Sequence, residues 1–145
     1  KPFNCEIYVN DIIDQTKYYE ENGLIELPKE KLLSTVDIVT IHTPLNKEMT
    51  DFINKKTLSV LKNSSYFINT ARGGIVNRED LKWALENNII AGAAIDVYDI
   101  EPPQDEELLQ LPNLINTPHI GGNSKEAVWA MGIAAIDHLK KYFYI

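Results

Sequence analysis

The sequence predicts an α/β fold, a doubly wound parallel sheet with helices between its strands. Short apolar runs rich in branched and aromatic residues recur along the chain, and segments with helical spacing separate them. These runs are apolar on both faces, which is typical of parallel sheets covered on both sides. With 145 residues, 44% hydrophobic and 24% charged, the chain has the size and composition of one globular domain.

Six segments are predicted to be strands, because each combines branched or aromatic side chains with turn residues at its ends. The segment 23–27 is the weakest of them. In chain order, the predicted strands are 5–10, 23–27, 37–43, 66–70, 91–97 and 114–118.

Helices are predicted between these strands from their spacing and their end signals. Pro28 suits a first helical turn, and Asn54 and Asn77 can each cap a helix. Asp80, three residues after Asn77, is close to a capping box. The predicted helices cover 28–36, 54–62, 77–88 and 123–143. In the last of them one apolar stripe is formed by Ala127, Met131, Ala134, Ala135 and Leu139.

Charge and cysteine content exclude several classes of function. The formal net charge is −7, from 14 Lys and Arg against 21 Asp and Glu, which argues against nucleic-acid and anionic-membrane partners. The single cysteine, Cys5, excludes an internal disulfide and a CxxC metal site. No apolar run has membrane-spanning length. We therefore expect a cytoplasmic protein with no membrane or nucleic-acid partner and no metal site.

Candidate functional residues follow the ends of the predicted strands. In open α/β sheets, ligands bind beyond the carboxyl ends of the strands, so these residues are expected at one edge. They are Asp11, Thr43, Pro44, Thr70, Arg72, Asp96, His119, Gly121 and Gly122.

Arg72 ends a strand and precedes Gly73 and Gly74. The glycines favour a tight turn, and a planar guanidinium there can hold a carboxylate through two parallel hydrogen bonds. The alternative is a surface arginine paired with Glu79 or Asp80, which would contribute little.

His119 lies in a loop between a proline and two glycines. Adjacent parallel strands would bring the loop carrying Glu101 beside it, and a carboxylate hydrogen-bonded to imidazole makes the ring a competent proton donor. The alternative is that 99–107 is only an acidic surface loop. Of the other histidines, His42 fits a packed residue as well as a ligand, and His138 fits a solvated charge near a helix end.

Asp11 follows the first predicted strand. An acid at this kind of position in a Rossmann fold hydrogen-bonds the adenosine ribose, and its charge favours NAD over NADP. An ordinary turn or cap residue is the alternative.

The successive motifs resemble the nucleotide-binding domain of the D-isomer-specific 2-hydroxyacid dehydrogenases, the family that includes phosphoglycerate, glyoxylate and hydroxypyruvate enzymes. The resemblance runs from about Asp11 to Leu139. It implies an NAD-dependent oxidoreductase that interconverts a small 2-oxo acid and a D-2-hydroxy acid, and a homodimer. The motifs that carry it are 37–49, 67–81, 91–103 and 113–122.

The resemblance also implies residue roles. Arg72 would bind the substrate carboxylate, His119 would be the catalytic acid and base, and Glu101 would support the imidazole. The "HIGG" motif favours an enzyme of the phosphoglycerate and glyoxylate type over one of the D-lactate type. The implied cofactor-binding residues are Asp11, Thr43, Pro44, Thr70, Ala71, Arg72, Asp96, His119, Gly121 and Gly122.

The sequence departs from the family pattern in two ways. It has no "GxG", so the usual first strand and glycine-rich turn are not found, and the separate substrate domain is absent. The missing strand is central in the order 3-2-1-4, so a gap is expected beside the strand of Asp11. We therefore expect residues 1–145 to form a partial, truncated NAD-binding domain. The alternative is a non-catalytic module that senses NAD or dimerises.

Overall fold

The computed structural model describes residues 3–144, and its strands lie where the sequence predicts them. All six predicted strands are confirmed, each somewhat shorter than its prediction. They are β1 (Tyr8–Val9), β2 (Ile25–Glu26), β3 (Ile38–Ile41), β4 (Tyr66–Asn69), β5 (Gly92–Ile95) and β6 (Leu114–Asn116).

The four predicted helices are also present, and their caps follow from the sequence. Asn54 accepts hydrogen bonds from the backbone N–H groups of Lys56 and Thr57 in a capping box, and the Asn77 side chain accepts from the Asp80 N–H. Pro28 occupies the cap position before its helix and not the first turn. The helices are α1 (Thr16–Asn22), α2 (Lys29–Thr35), α3 (Lys55–Leu58), α4 (Arg78–Glu86), α5 (Glu106–Leu109) and α6 (Lys125–Phe143).

The strands form two separate parallel sheets. β3, β4, β5 and β6 pair in chain order, and β1 pairs only with β2. Within residues 3–144 no strand joins β1 to β3, in agreement with the expected gap. Each of these two strands keeps one edge without a pairing partner in residues 3–144.

Within residues 3–144 the main core covers one face of the larger sheet. On that face Val39, Phe67 and Ala93 are buried in the main core, together with the apolar side of α4. On the opposite face Ile38 and Ile115 remain 58% and 70% exposed. The parallel α/β fold class is thus confirmed, and within residues 3–144 the second face of its sheet stays largely open.

The last helix, α6, differs most from its prediction. The apolar stripe predicted for it would normally face a core. In the structure α6 buries none of its side chains, because no described part of the chain covers it. No helix within residues 3–144 is both long enough and apolar enough to cross a bilayer.

Candidate active site

The strands of the larger sheet end in register at their carboxyl ends, so the loops that follow them lie at one edge of the sheet. The register pairs the last residues of adjacent strands with each other, and the candidate residues follow directly after them. Thr43 and Pro44 follow β3 in the chain, and Thr70 and Ala71 follow β4. The aligned strand ends are Ile41, Asn69, Ile95 and Asn116.

His119 and Glu101 form a hydrogen-bonded pair at this edge. The imidazole Nδ1 lies 2.9 Å from Oε2 and 3.1 Å from Oε1 of Glu101, so the expected contact is confirmed. The backbone N–H of Tyr98 donates to Oε1 at 3.0 Å. The bond with His119 and this second donor hold the pKa of the Glu101 carboxyl below its usual range. The carboxylate is therefore ionised where it faces the ring, and it fixes the ring's orientation.

Asp96 holds the loop that carries His119. Its buried carboxylate accepts hydrogen bonds from the Thr117 hydroxyl at 2.5 Å, the Ile120 N–H at 3.0 Å and the Gly121 N–H at 3.3 Å. The Thr117 bond is the main cause that lowers the pKa of Asp96, and the two backbone donors add to it. Asp96 thus fixes the backbone on both sides of His119, whose own φ of 56° is left-handed.

Arg72 is presented by a tight turn at the end of β4. The buried side chain of Asn69 spans this turn, because its Oδ1 accepts from the Ala71 N–H at 3.0 Å and its Nδ2 donates to the Arg72 carbonyl at 2.9 Å. The exposed guanidinium donates to the Ala71 carbonyl at 2.6 Å. Within residues 3–144 no carboxylate lies within ion-pair distance of Arg72. The pairing with Glu79 or Asp80 that the sequence left open is therefore not formed.

Asp11 lies in the loop after β1, on the smaller sheet, and is exposed. Its Oδ1 accepts from the Ile13 N–H at 3.1 Å, so it does shape a turn. This contact leaves Oδ2 available for a ribose hydroxyl. Of the other histidines, His42 is exposed and bonds to the Thr40 hydroxyl at 2.9 Å. His138 is exposed on α6.

The side chains at this edge and Asp11 have the chemistry to bind part of an NAD molecule. Asp11 has the chemistry for the adenosine ribose, and the level strand ends supply small and hydroxyl side chains for the nicotinamide half. The sequence contains no GxGxxG motif of the kind that holds a pyrophosphate at a helix start. In residues 3–144, no cluster of His, Cys, Asp and Glu side chains is arranged to hold a metal ion.

Two residues that shape the site were not predicted. Asn69 is a polar side chain on the buried face of β4, two residues after the buried Phe67, and that position was an available signal. Thr117, whose hydroxyl donates to Asp96, gave no comparable signal, because its partner is distant in sequence.

Comparison with known proteins agrees with this architecture. The sequence profile of the D-isomer specific 2-hydroxyacid dehydrogenase, NAD binding domain, matches residues 1–121. D-3-phosphoglycerate dehydrogenase of Bacillus subtilis is 40% identical over 127 residues, which cover 88% of this chain. Glycerate dehydrogenase of Methylorubrum extorquens is 38% identical and the match covers 86% of this chain.

Solved structures give the same result. The NAD-complexed D-isomer specific 2-hydroxyacid dehydrogenase of Lactobacillus delbrueckii ssp. bulgaricus superposes with a TM-score of 0.83 at 28% identity, over 97% of this chain and 47% of that one. The chain spans 24% of the Bacillus subtilis relative and 40% of the Methylorubrum extorquens relative. The chain belongs to the D-isomer specific 2-hydroxyacid dehydrogenase family, in which it corresponds to the NAD-binding domain.

Proposed function

We propose that these 145 residues are the cofactor-binding part of an NAD-dependent dehydrogenase that interconverts a 2-oxo acid and a D-2-hydroxy acid. The observation that carries the proposal is the pairing of His119 with Glu101 at 2.9 Å. This pair lies at the same sheet edge as the exposed guanidinium of Arg72, which has no carboxylate partner within residues 3–144. An acid and base group beside a carboxylate-binding cation is the set that 2-oxo acid reduction requires.

Arg72 binds the substrate. Its guanidinium can hold a carboxylate through two parallel hydrogen bonds, which also fixes the direction in which the neighbouring 2-oxo group points. The buried Asn69 amide keeps the Arg72 turn in one conformation, so the cation needs little reordering when a substrate arrives.

His119 moves the proton. NAD supplies or removes the hydride when it is bound. In the reducing direction the protonated ring of His119 donates its Nε2 proton to the 2-oxo oxygen as negative charge develops there, and it becomes neutral imidazole. Glu101 accepts from Nδ1 throughout, so it orients Nε2 toward the substrate and stabilises the protonated ring.

The remaining site residues hold the cofactor in this proposal. Asp11 binds the adenosine ribose, while the other residues line the nicotinamide half of the cleft. The substrate side chain would be selected mainly by a separate domain, so the acid itself is not assigned. Those lining residues are Thr43, Pro44, Thr70, Ala71, Asp96, Gly121 and Gly122.

The proposal is tested in a completed enzyme, in which the remaining parts of the Bacillus subtilis relative are joined to this chain. His119→Ala should lower the turnover of 2-oxo acids by about a hundredfold or more and leave NADH affinity nearly unchanged, because only proton transfer is lost. His138→Ala is the matched control, since that ring is exposed on α6, and it should keep the full rate.

Glu101→Gln completes the test, because it removes the charge and keeps the shape. The turnover should fall and the pH–rate profile should differ from that of the parent, since the ring loses the carboxylate that orients it. Unchanged rates and profiles in both variants would show that another group donates the proton. A completed enzyme that binds NADH in calorimetry and reduces no 2-oxo acid would support the NAD-sensing module instead.

A further inference from the structure

Gly73, the residue after Arg72, has no space for a side chain. A Cβ atom placed on it would lie 1.8 Å from the carbonyl carbon of Tyr98, 2.2 Å from that residue's oxygen and 2.3 Å from the nitrogen of Asp99. Its φ is not in the left-handed region. Glycine is therefore required here by the approach of a second backbone segment and not by the conformation of the turn.

The backbone that Gly73 touches belongs to the loop of the catalytic pair. The N–H of Tyr98 donates to Glu101 at 3.0 Å, and Glu101 in turn bonds to His119 at 2.9 Å. The Tyr98 N–H lies in the preceding peptide and is joined to the Tyr98–Asp99 peptide through the Cα atom of Tyr98. A displacement of the Tyr98–Asp99 peptide would therefore shift one of the two donors that hold the Glu101 carboxylate.

The two sides of this contact differ in how firmly they are held. The Arg72 turn is held by the hydrogen bonds of the Asn69 amide and by the packing of Ile75, which is completely buried. Backbone hydrogen bonds at 3.0 Å also join the Gly73 carbonyl to the Val76 N–H and the Gly74 carbonyl to the Asp51 N–H. On the facing side Tyr98 is half-buried against the core and Asp99 lies 3.7 Å from Arg78, but residues 99–101 that follow the contact are exposed. A side chain at position 73 should consequently displace this loop more than the turn.

We propose that Gly73 is a positioning residue: having no side chain, it lets the Arg72 turn pack against the Tyr98–Asp99 backbone, which positions the adjoining Tyr98 N–H that holds Glu101, and through Glu101 the ring of His119. A change in the Arg72 turn should then also change the position of the Glu101–His119 pair. The importance of this coupling for catalysis rests on the proposed function, whereas the positioning itself can be measured without any activity.

The test uses the 145-residue chain with Gly73→Ala, and it follows the side-chain carboxyl carbon of Glu101 by NMR as the pH is varied. In the parent chain the pKa of Glu101 is lowered, first by the bond with His119 and next by the Tyr98 N–H. Alanine is uncharged, so it has no direct electrostatic effect. Gly73→Ala should raise the Glu101 pKa by an amount that the titration can measure. This rise should be smaller than the rise in the Glu101 pKa that His119→Ala produces.

Gly74→Ala is the matched control. The nearest atom to a Cβ there is Cδ2 of Leu45 at 3.2 Å, the end of a flexible side chain that can move aside. This variant should leave the Glu101 titration where it is in the parent. An unchanged titration in folded Gly73→Ala would overturn the proposal, and so would an equal change in Gly74→Ala.

A second variant keeps the test decisive if Gly73→Ala does not fold. Asn69→Ala loosens the turn without adding a charge or a clash, and it should also raise the Glu101 pKa. Asn113→Ala is its control, because that amide donates to the Leu85 carbonyl at 3.1 Å, away from the site. If Asn69→Ala folds and leaves Glu101 unchanged, the turn does not support the loop.

In the completed enzyme, Gly73→Ala should lower kcat by about a hundredfold, the cost of a small misplacement of a catalytic group, with little change in the KM for the 2-oxo acid. A KM that rises with kcat unchanged would place the effect on Arg72 and overturn the assignment to Glu101. If the parent completed enzyme is inactive, the proposed function fails, and the NMR comparison still decides the role of Gly73.

Discussion

Asp11 is the side chain on which cofactor choice is expected to depend. It is exposed, and its turn contact with the Ile13 N–H uses only Oδ1. In the completed enzyme, Asp11→Ala should erode the preference for NAD over NADP, because the negative charge that repels a 2′-phosphate is removed. The measurement is the ratio of kcat/KM for the two cofactors.

Asp14→Ala provides the control for that ratio. Asp14 is also an exposed carboxylate after β1, and it accepts from the Thr16 N–H at 3.0 Å and the Thr16 hydroxyl at 2.8 Å. Its loss should weaken the start of α1 and leave the cofactor ratio unchanged. If Asp11→Ala also leaves the ratio unchanged, Asp11 is only a turn residue.

Single side chains could be predicted where the chemistry is local or the strand order is simple. The contact of Glu101 with His119 follows from two adjacent parallel strands, β5 and β6, and it is confirmed. The contacts of Asp96 with Thr117 and of Gly73 with Tyr98 depend on loop conformations between distant segments. No spacing or propensity in the sequence encodes those conformations, so both were missed.

Helices and strands differed in how well the sequence predicted them. The strands were predictable because each is a short apolar run between turn residues. The helix Thr16–Asn22 was not predicted, because it carries no side-chain cap and buries only Tyr19. The helix 54–62 ends early at Leu58, because the next N–H groups of Val60 and Leu61 bond to carbonyls three residues back.

The loop between β6 and α6 is the segment whose stability should depend on pH. The pKa of Asp96 is lowered in the folded state, mainly by the Thr117 hydroxyl. A carboxyl with a lowered folded-state pKa adds stability above its unfolded pKa of about 4, and this contribution is lost as the pH falls through the folded-state pKa.

Asp96→Asn should therefore lower the free energy of unfolding at neutral pH by about 1–3 kcal/mol, since an amide cannot satisfy all the buried donors. It should also reduce the loss of stability on acidification. Urea unfolding of both proteins between about pH 3 and 7 measures both effects. Thr117→Val, which removes one donor, should change the acid dependence in the same direction. An acid dependence that is identical in the parent and Asp96→Asn would contradict this account.

Across the whole chain, open strand edges and apolar surfaces of a sheet and a helix remain uncovered. β1 and β3 each have an edge with no partner in residues 3–144, and one face of the larger sheet exposes Ile38 and Ile115. On α6 the side chain of Trp129 is 73% exposed. Exposed apolar surface and open strand edges of this extent are typical of surfaces that other protein segments cover. The sequence predicted the gap beside β1, and the uncovered face and helix appear only in the structure.

The open edge of β3 should make the 145-residue chain self-associate. The Asp37 carbonyl accepts from the Tyr66 N–H, so alternate residues of β3 face β4, and the backbone N–H of Thr40 faces the open edge. Sedimentation velocity at rising concentration should show species larger than the monomer. Thr40→Pro should shift the distribution back toward the monomer, because proline removes that N–H, whereas Thr40→Val keeps it and should associate like the parent.

The same chain should show no measurable 2-oxo acid reduction and should bind NADH weakly. In the proposed function it supplies residues for the nicotinamide and carboxylate ends, but it contains no GxGxxG motif that would hold the pyrophosphate. Joining the first strand, the glycine-rich turn and the substrate domain of the Bacillus subtilis relative should fill the gap beside β3, suppress the self-association that depends on the Thr40 N–H, and produce an activity that Arg72→Ala abolishes. Robust turnover by the purified monomer of 145 residues would overturn this account of the chain.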